Sequence, residues 1–333
     1  MLNPQLNRQG RLVHLLSTEG LSRALLTALL DAADRHVGPH AGMQAEPAAT
    51  LAHWQVAMWR EDRAQAFGQP VHTDDAAAEG DGAAELPHDD SPARLAHAAA
   101  LLGAQVVMWP GNMPPSDTPP SSTSAMSPDL LIMRHTGSGA AHWVARRTLG
   151  PRHIINAGDG AHEDPVAGLT MVAALRRALP DLTALTITLV GNLNASAAGR
   201  SCLHILTTLG VPEVRLATPP TLAPEVSGAL GVQSYVDVDA ALAGADVVVV
   251  LPRAATHGDP SRQLSANEYR AQYGLSGARL AAACAGAVVL LAPGLDHGVE
   301  VAGDLAPATP LSLSPWGDAV SLAILQTLIE GEA

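Results

Sequence analysis

Lysine is missing from this 333-residue chain: all 19 basic residues are arginine. Any mechanism that needs a side-chain amine, as base or as point charge, is therefore closed to it. Cysteine is almost as scarce. Cys202 and Cys284 cannot build a disulfide framework, so a reducing, cytoplasmic setting is expected. Both lie in helical patterns and read as small core residues. Aromatic residues make up only 3%. No stretch of about 20 apolar residues and no leader pattern stands out, so neither a membrane span nor export is expected. Positive charge is short as well: 32 acidic residues leave a formal charge of −13, which repels nucleic acid and anionic membranes.

What is present is length and a strict alternation. A chain of 333 residues can bury two α/β cores. The organising stretch is Ile154-Ile155-Asn156-Ala157-Gly158-Asp159-Gly160. After Ala161-His162-Glu163 come Asp164, Pro165 and an apolar run at helical spacing: Leu169, Met171, Val172, Leu175, Leu179. Proline suits the first turn of a helix and aspartate its cap. The stretch therefore reads as strand, glycine turn and helix, with the helix N-terminus aimed at whatever occupies the turn.

From residue 151 the periodicity gives strands at 153–156, 185–190, 213–217, 246–251 and 287–291. Helices alternate with them at 165–179, 197–209, 237–243, 267–273 and 276–283. The unbroken apolar run Val247–Leu251 implies a strand covered on both faces, hence a parallel sheet. Upstream, Ser17 or Thr18 is expected to cap a helix carrying Leu21, Leu25, Leu26, Leu29 and Leu30. Residues 54–59 and 105–109 read as strands. Ser91-Pro92 opens a helix that Gly103 ends. The stretches 74–90 and 110–128 read as mobile loops. A last helix is expected at 316–330. His36-x3-His40 is broken by Gly38-Pro39 and reads as loop, so no metal site is expected; Gly137-Ser138-Gly139 reads as a tight turn rather than a phosphate cradle.

The motif INAGDG-x4-P-x3-L resembles the linking signature of aspartate carbamoyltransferase, within the aspartate/ornithine carbamoyltransferase family. Four further motifs follow in order. Asp129–His135 resembles the family strand ending in Arg-His, and Leu189-Val190-Gly191-Asn192-Leu193 its Val-Gly-Asp strand. Tyr269–Leu275 resembles Tyr-x-x-Gln-Phe-Gly-Leu, and Leu291-Ala292-Pro293-Gly294-Leu295 its His-Pro-Gly-Pro loop. The resemblance implies two doubly wound parallel-sheet α/β domains. Residues 1–163 would form the carbamoyl-phosphate-type domain and 164–313 the aspartate-type domain, with the C-terminal helix in 314–333 packing back on the first. It implies no cofactor. It also implies a trimer, or a hetero-oligomer with an active carbamoyltransferase or with dihydroorotase.

At the chemically important positions the sequence departs from that family. The turn that would hold phosphate with Ser, Thr and Arg falls on His88-Asp89-Asp90-Ser91-Pro92, and carboxylates oppose a phosphate. Asp89 and Asp90 read as helix caps. The signature's His and Gln are Asp164 and Ala167. The arginine that would clamp substrate is Ala197, the Gln that would read aspartate is Ala255, and the loop histidine is Ala292. Arg134 matches the carbamoyl-contacting arginine, and His162, two residues from the lost histidine, is the other catalytic candidate. Arg253, Gly294 and Leu295 are remnants of the substrate site, and Arg200 is read as structural. Loss of a single oxyanion-stabilising donor typically costs about 100- to 1,000-fold in rate. A non-catalytic, structural or regulatory relative of aspartate carbamoyltransferase in a pyrimidine-biosynthesis assembly is therefore expected. The alternative is an active enzyme with an unusual site.

Overall fold

A computed structural model describes residues 3–37, 50–60, 90–109, 128–147, 151–224, 231–253, 264–305 and 310–332. The loops expected at 74–90 and 110–128 lie outside these residues except for Asp90 and Pro128, as does His40.

Two parallel sheets carry the fold. The first has the order β2-β1-β3-β4, from Gln105–Met108 (β2), Gln55–Arg60 (β1), Leu130–His135 (β3) and His153–Asp159 (β4). The second has the order β7-β6-β5-β8-β9, from Gln233–Tyr235 (β7), Glu213–Ala217 (β6), Thr186–Val190 (β5), Val247–Val250 (β8) and Val288–Leu291 (β9). Every pairing is parallel, and Val247–Val250 are buried on both faces, as their unbroken β-branched run requires. The two-sheet α/β class expected from the sequence is what forms. β7 escaped the reading because Gln233-Ser234-Tyr235 is a short edge strand with little apolar pattern.

Helices join the strands: α1 (Arg23–His36), α2 (Ser91–Leu101), α3 (Ala140–Arg147), α4 (Pro165–Ala178), α5 (Ala197–Leu209), α6 (Val238–Leu242), α7 (Ala266–Gln272), α8 (Gly277–Leu280) and α9 (Ser314–Glu332). The cap of α1 is Ser22, whose side chain accepts from the Leu25 amide, rather than Ser17 or Thr18. Thr18 is drawn inward to a buried carboxylate instead. Cys202 sits buried in α5, where burial pushes its thiol up to about 12. Cys284 corrects the expectation of a second core thiol: α8 ends at Leu280, and Cys284 lies exposed in the turn leading to Gly286. An alanine-rich run mimics an apolar helix face but continues here as turns.

One apolar core runs from Leu95, Leu130 and Ile155 on the first sheet to Ile187, Leu189 and Val249 on the second. Helix α9 returns from the C-terminus to pack on α1, α2 and α4. There Arg94, 4% exposed, pairs with Asp318 at 3.0 Å. The join between the two sheets is the α4–α5 contact, and Gly168 sets its closeness. A Cβ at that position would lie 2.5 Å from the Ser201 Cβ and 2.9 Å from the Cys202 amide nitrogen.

Alanine at 168 gains about 1 kcal/mol of helix propensity. Overpacking a filled contact costs about 1–3 kcal/mol, and backbone cannot rotate away as a side chain can. Gly168→Ala should therefore lower stability by about 1–2 kcal/mol in urea unfolding, the clash outweighing the propensity. An unchanged or raised midpoint would show that the helices can separate freely.

Candidate active site

The candidate residues gather at the carboxyl ends of the strands, where open α/β sheets place their ligands. Glycine is required at 158, in β4. Its φ is +118°, and a Cβ there would lie 3.5 Å from an Asp164 carboxylate oxygen and 3.6 Å from Cγ and Nε of Arg134. Arg134, near the end of β3, and Asp164, capping α4, thus flank the same backbone position. Asp164 is buried. It accepts from the Ala167 amide at 2.9 Å and from the Ser91 hydroxyl at 3.2 and 3.3 Å. Burial raises its carboxyl above the ordinary value, against the opposing pull of the Arg134 charge and these donors.

A parallel arrangement opens α2. Asp90 caps the helix by accepting from the Ala93 amide at 3.2 Å, and the Arg60 guanidinium donates to it at 2.8 Å. Arg60 stands at the end of β1. Each of these two helix N-termini therefore meets a carboxylate of the chain itself, with an arginine beside it. Asp89 lies outside the described residues.

His162 is the other catalytic candidate. Its Nδ1 lies 3.1 Å from Oδ1 of the buried Asp159, and its ring meets His142 edge-on at 5.5 Å between centroids. The Asp159 hydrogen bond raises the His162 pKa above the ordinary value; burial lowers that of His142, with the His162 charge adding to the effect. Asp159 also accepts from the Gly139 amide at 2.9 Å, fixing Gly137-Ser138-Gly139 as the turn into α3. Arg200 extends its charge towards His162, and its buried Nε has no hydrogen-bond partner among the described residues.

The remaining candidates sit on the second sheet. Ala167 is the third residue of α4, and Ala197 the first of α5, directly after the Ser196 cap. Arg253 faces carboxylates of the chain: Glu300 lies 3.8 Å from its Nε and accepts from its backbone amide at 3.0 Å, and Asp296 lies 4.0 Å away. Ala292 is buried beyond β9 and donates its amide to Val250. Gly294 is exposed with φ +84°, and Leu295 is half-buried beside it. Ala255 lies outside the described residues.

Sequence reasoning passed over Glu163, the most heavily bonded acid of the region. It is 1% exposed and accepts from the Thr18 amide at 2.7 Å, the Thr18 hydroxyl at 2.6 Å and the Ser201 hydroxyl at 2.8 Å. Its position beside a cap residue in a polar turn gave no sign of burial.

No protein-family model matches the sequence. Solved structures do match over nearly the whole chain. Ornithine carbamoyltransferase from Gloeobacter violaceus aligns with 95% of this chain and 98% of its own, at 21% identity and a TM-score of 0.69. Ligand-free aspartate transcarbamoylase from Trypanosoma cruzi aligns at 95% and 95%, 21% identity and 0.70. Ornithine carbamoyltransferase from Thermus thermophilus aligns at 99% and 100%, 17% identity and 0.70. The chain has the carbamoyltransferase fold. Aspartate and ornithine types match it alike, so the fold alone favours neither. Among the described residues no helix of this carbamoyltransferase-fold protein is long and apolar enough to cross a membrane.

The buried Asp164 has a signed consequence for stability. A carboxyl whose pKa is higher folded than unfolded binds more protons in the folded state between those two values. Its contribution to stability therefore declines as pH rises from about 3.9, the unfolded value. Asp164→Asn keeps a cap oxygen for Ala167 and removes the titration. The variant should gain on wild type progressively above pH 4 in thermal or urea unfolding; a constant difference across pH 4–8 would contradict the assignment.

Proposed function

We propose that this chain does not transfer carbamoyl groups and serves as a structural or regulatory relative of aspartate carbamoyltransferase in a pyrimidine-biosynthesis assembly. The reading rests first on the two helix N-termini. Asp90 at α2 and Asp164 at α4 already place anionic oxygens on the amides and beside the arginines that a dianionic phosphate would need. A phosphate brought there meets two carboxylates, and in a low-dielectric cleft that repulsion exceeds the attraction of the neighbouring arginines, each already next to one of them. Arg253 is engaged in the same way, by Glu300 and Asp296. Ala167, Ala197 and Ala292 offer no polar side chain to a substrate.

The second reading, an active aspartate carbamoyltransferase with an unusual site, draws on His162, whose Nδ1 meets Asp159 as an oriented base would require, and on Arg134. We assign residues 1–163 with the returning helix of 314–333 to one unit and 164–313 to the other, and we expect the protein to act in the cytoplasm.

Incubation with carbamoyl phosphate and L-aspartate should yield no N-carbamoyl-L-aspartate above the level of the Arg134→Ala variant. Turnover that Arg134→Ala abolishes would establish the second reading. For the assembly, affinity purification from the native host followed by mass spectrometry should recover an active carbamoyltransferase or dihydroorotase, or else a homotrimer by analytical ultracentrifugation. A monomer without either partner at micromolar concentration would refute the structural role.

A further inference from the structure

Away from the strand ends just described, Glu19, Glu163 and His204 converge from three distant parts of the chain. One ligating atom from each lies within 4.8 Å of the others. Glu19 follows the N-terminal segment that pairs with β4, Glu163 closes the β4–α4 turn, and His204 lies on α5. His204 is three residues after Ser201, so one face of α5 carries both the hydroxyl that bonds Glu163 and the imidazole.

The carboxylate of Glu163 is loaded asymmetrically. Its Oε2 takes three donors, the Thr18 amide, the Thr18 hydroxyl and the Ser201 hydroxyl. Its Oε1 has one long contact, 3.4 Å from the Glu19 amide. Among the described residues neither Glu163 nor Glu19 forms an ion pair. A buried carboxylate 1% exposed, with a second carboxylate close by and no countercharge, is an expensive arrangement. A divalent cation removes that cost.

We propose that Glu19, Glu163 and His204 bind one divalent transition-metal ion of the zinc class. Two carboxylate oxygens and one imidazole nitrogen suit zinc, whereas calcium and magnesium favour sets made only of oxygen. Zinc–ligand bonds of about 2.0–2.2 Å bring ligand atoms to at most about 4.4 Å apart. Closing the last few tenths of an ångström falls to Glu19, which is exposed and has rotamers to spare. Thr18 and Ser201 orient the buried carboxylate as outer partners of a metal ligand do. The ion would fasten the N-terminal segment and the β4–α4 turn to α5, tying the first sheet to the second. This proposal is independent of whether the strand-end site has any activity.

The test is titration of the EDTA-stripped full chain with zinc chloride, by calorimetry and by thermal unfolding. Wild type should bind one equivalent and melt higher with zinc. Glu19→Gln and His204→Gln, both outside the buried network, should each weaken that binding at least tenfold, and His204→Gln should lose the zinc-dependent rise in melting temperature. No binding at micromolar zinc, or binding unchanged in both variants because other histidines supply it, would overturn the site. Calcium competing as well as zinc at equal concentration would overturn the role of the imidazole.

Discussion

A short turn between a strand and a helix has to keep three carboxylates charged or hydrogen-bonded inside the protein, and the fold is arranged around that demand. Asp159, Glu163 and Asp164 are all buried in a chain with no lysine to neutralise them. Backbone amides and hydroxyls do most of the work instead. Asp159 takes the Gly139 and Glu163 amides, Glu163 takes Thr18 and Ser201, and Asp164 takes Ala167 and Ser91. Each bond reaches a different element: the entry to α3, the N-terminal segment, α5 and the start of α2. A buried carboxylate left without donors costs several kcal/mol, so these elements cannot part without exposing one. The turn is therefore the junction of the molecule as well as its most distinctive sequence.

The same physics explains why the strand ends look so different from a receptor for a dianion. A helix N-terminus attracts negative charge whatever its source. Where the chain supplies that charge from a cap residue, the amides are satisfied internally and the helix gains the usual stability of a capped end. Asp90 and Asp164 are good structural residues and poor catalytic ones for one reason: an acid that completes a helix end competes with any anion for the same donors. The nearby arginines follow suit, Arg60 bonding Asp90 and Arg253 facing Glu300.

Much of the architecture was legible because it depends on periodicity and on caps. The Val247–Val250 run, the Asp164-Pro165 start of α4 and the Ser91-Pro92 start of α2 each carry a local signal strong enough to survive in the fold. The misses have physical causes. Ser17 and Thr18 look like caps, but a long-range partner, Glu163, claims Thr18 and leaves the capping to Ser22. Cys284 lies in an alanine run whose apolar character suggests a helix, yet the helix stops four residues earlier. For the candidate site, the sequence named which residues stand at the strand ends but not how they pair. That Asp164 and Arg134 meet across Gly158, or that Glu163 is buried while His162 beside it stays half exposed, depends on contacts between segments more than a hundred residues apart or on backbone geometry at one glycine.

Glycine 168 and glycine 158 show how closely the scaffold and the site are linked. The first lets α4 and α5 approach until Ser201 can reach Glu163; the second lets Arg134 and Asp164 approach across a backbone with no Cβ between them. Both belong to the stretch that carries the family signature, and both act through the absence of a side chain. A signature can thus persist for packing alone: what it preserves is the close approach of strand, turn and two helices, and that approach is needed whether the ends of those helices receive a substrate or the chain's own acids. Retention of the glycines together with replacement of the basic and amide side chains is the pattern expected when the packing requirement outlasts the chemical one.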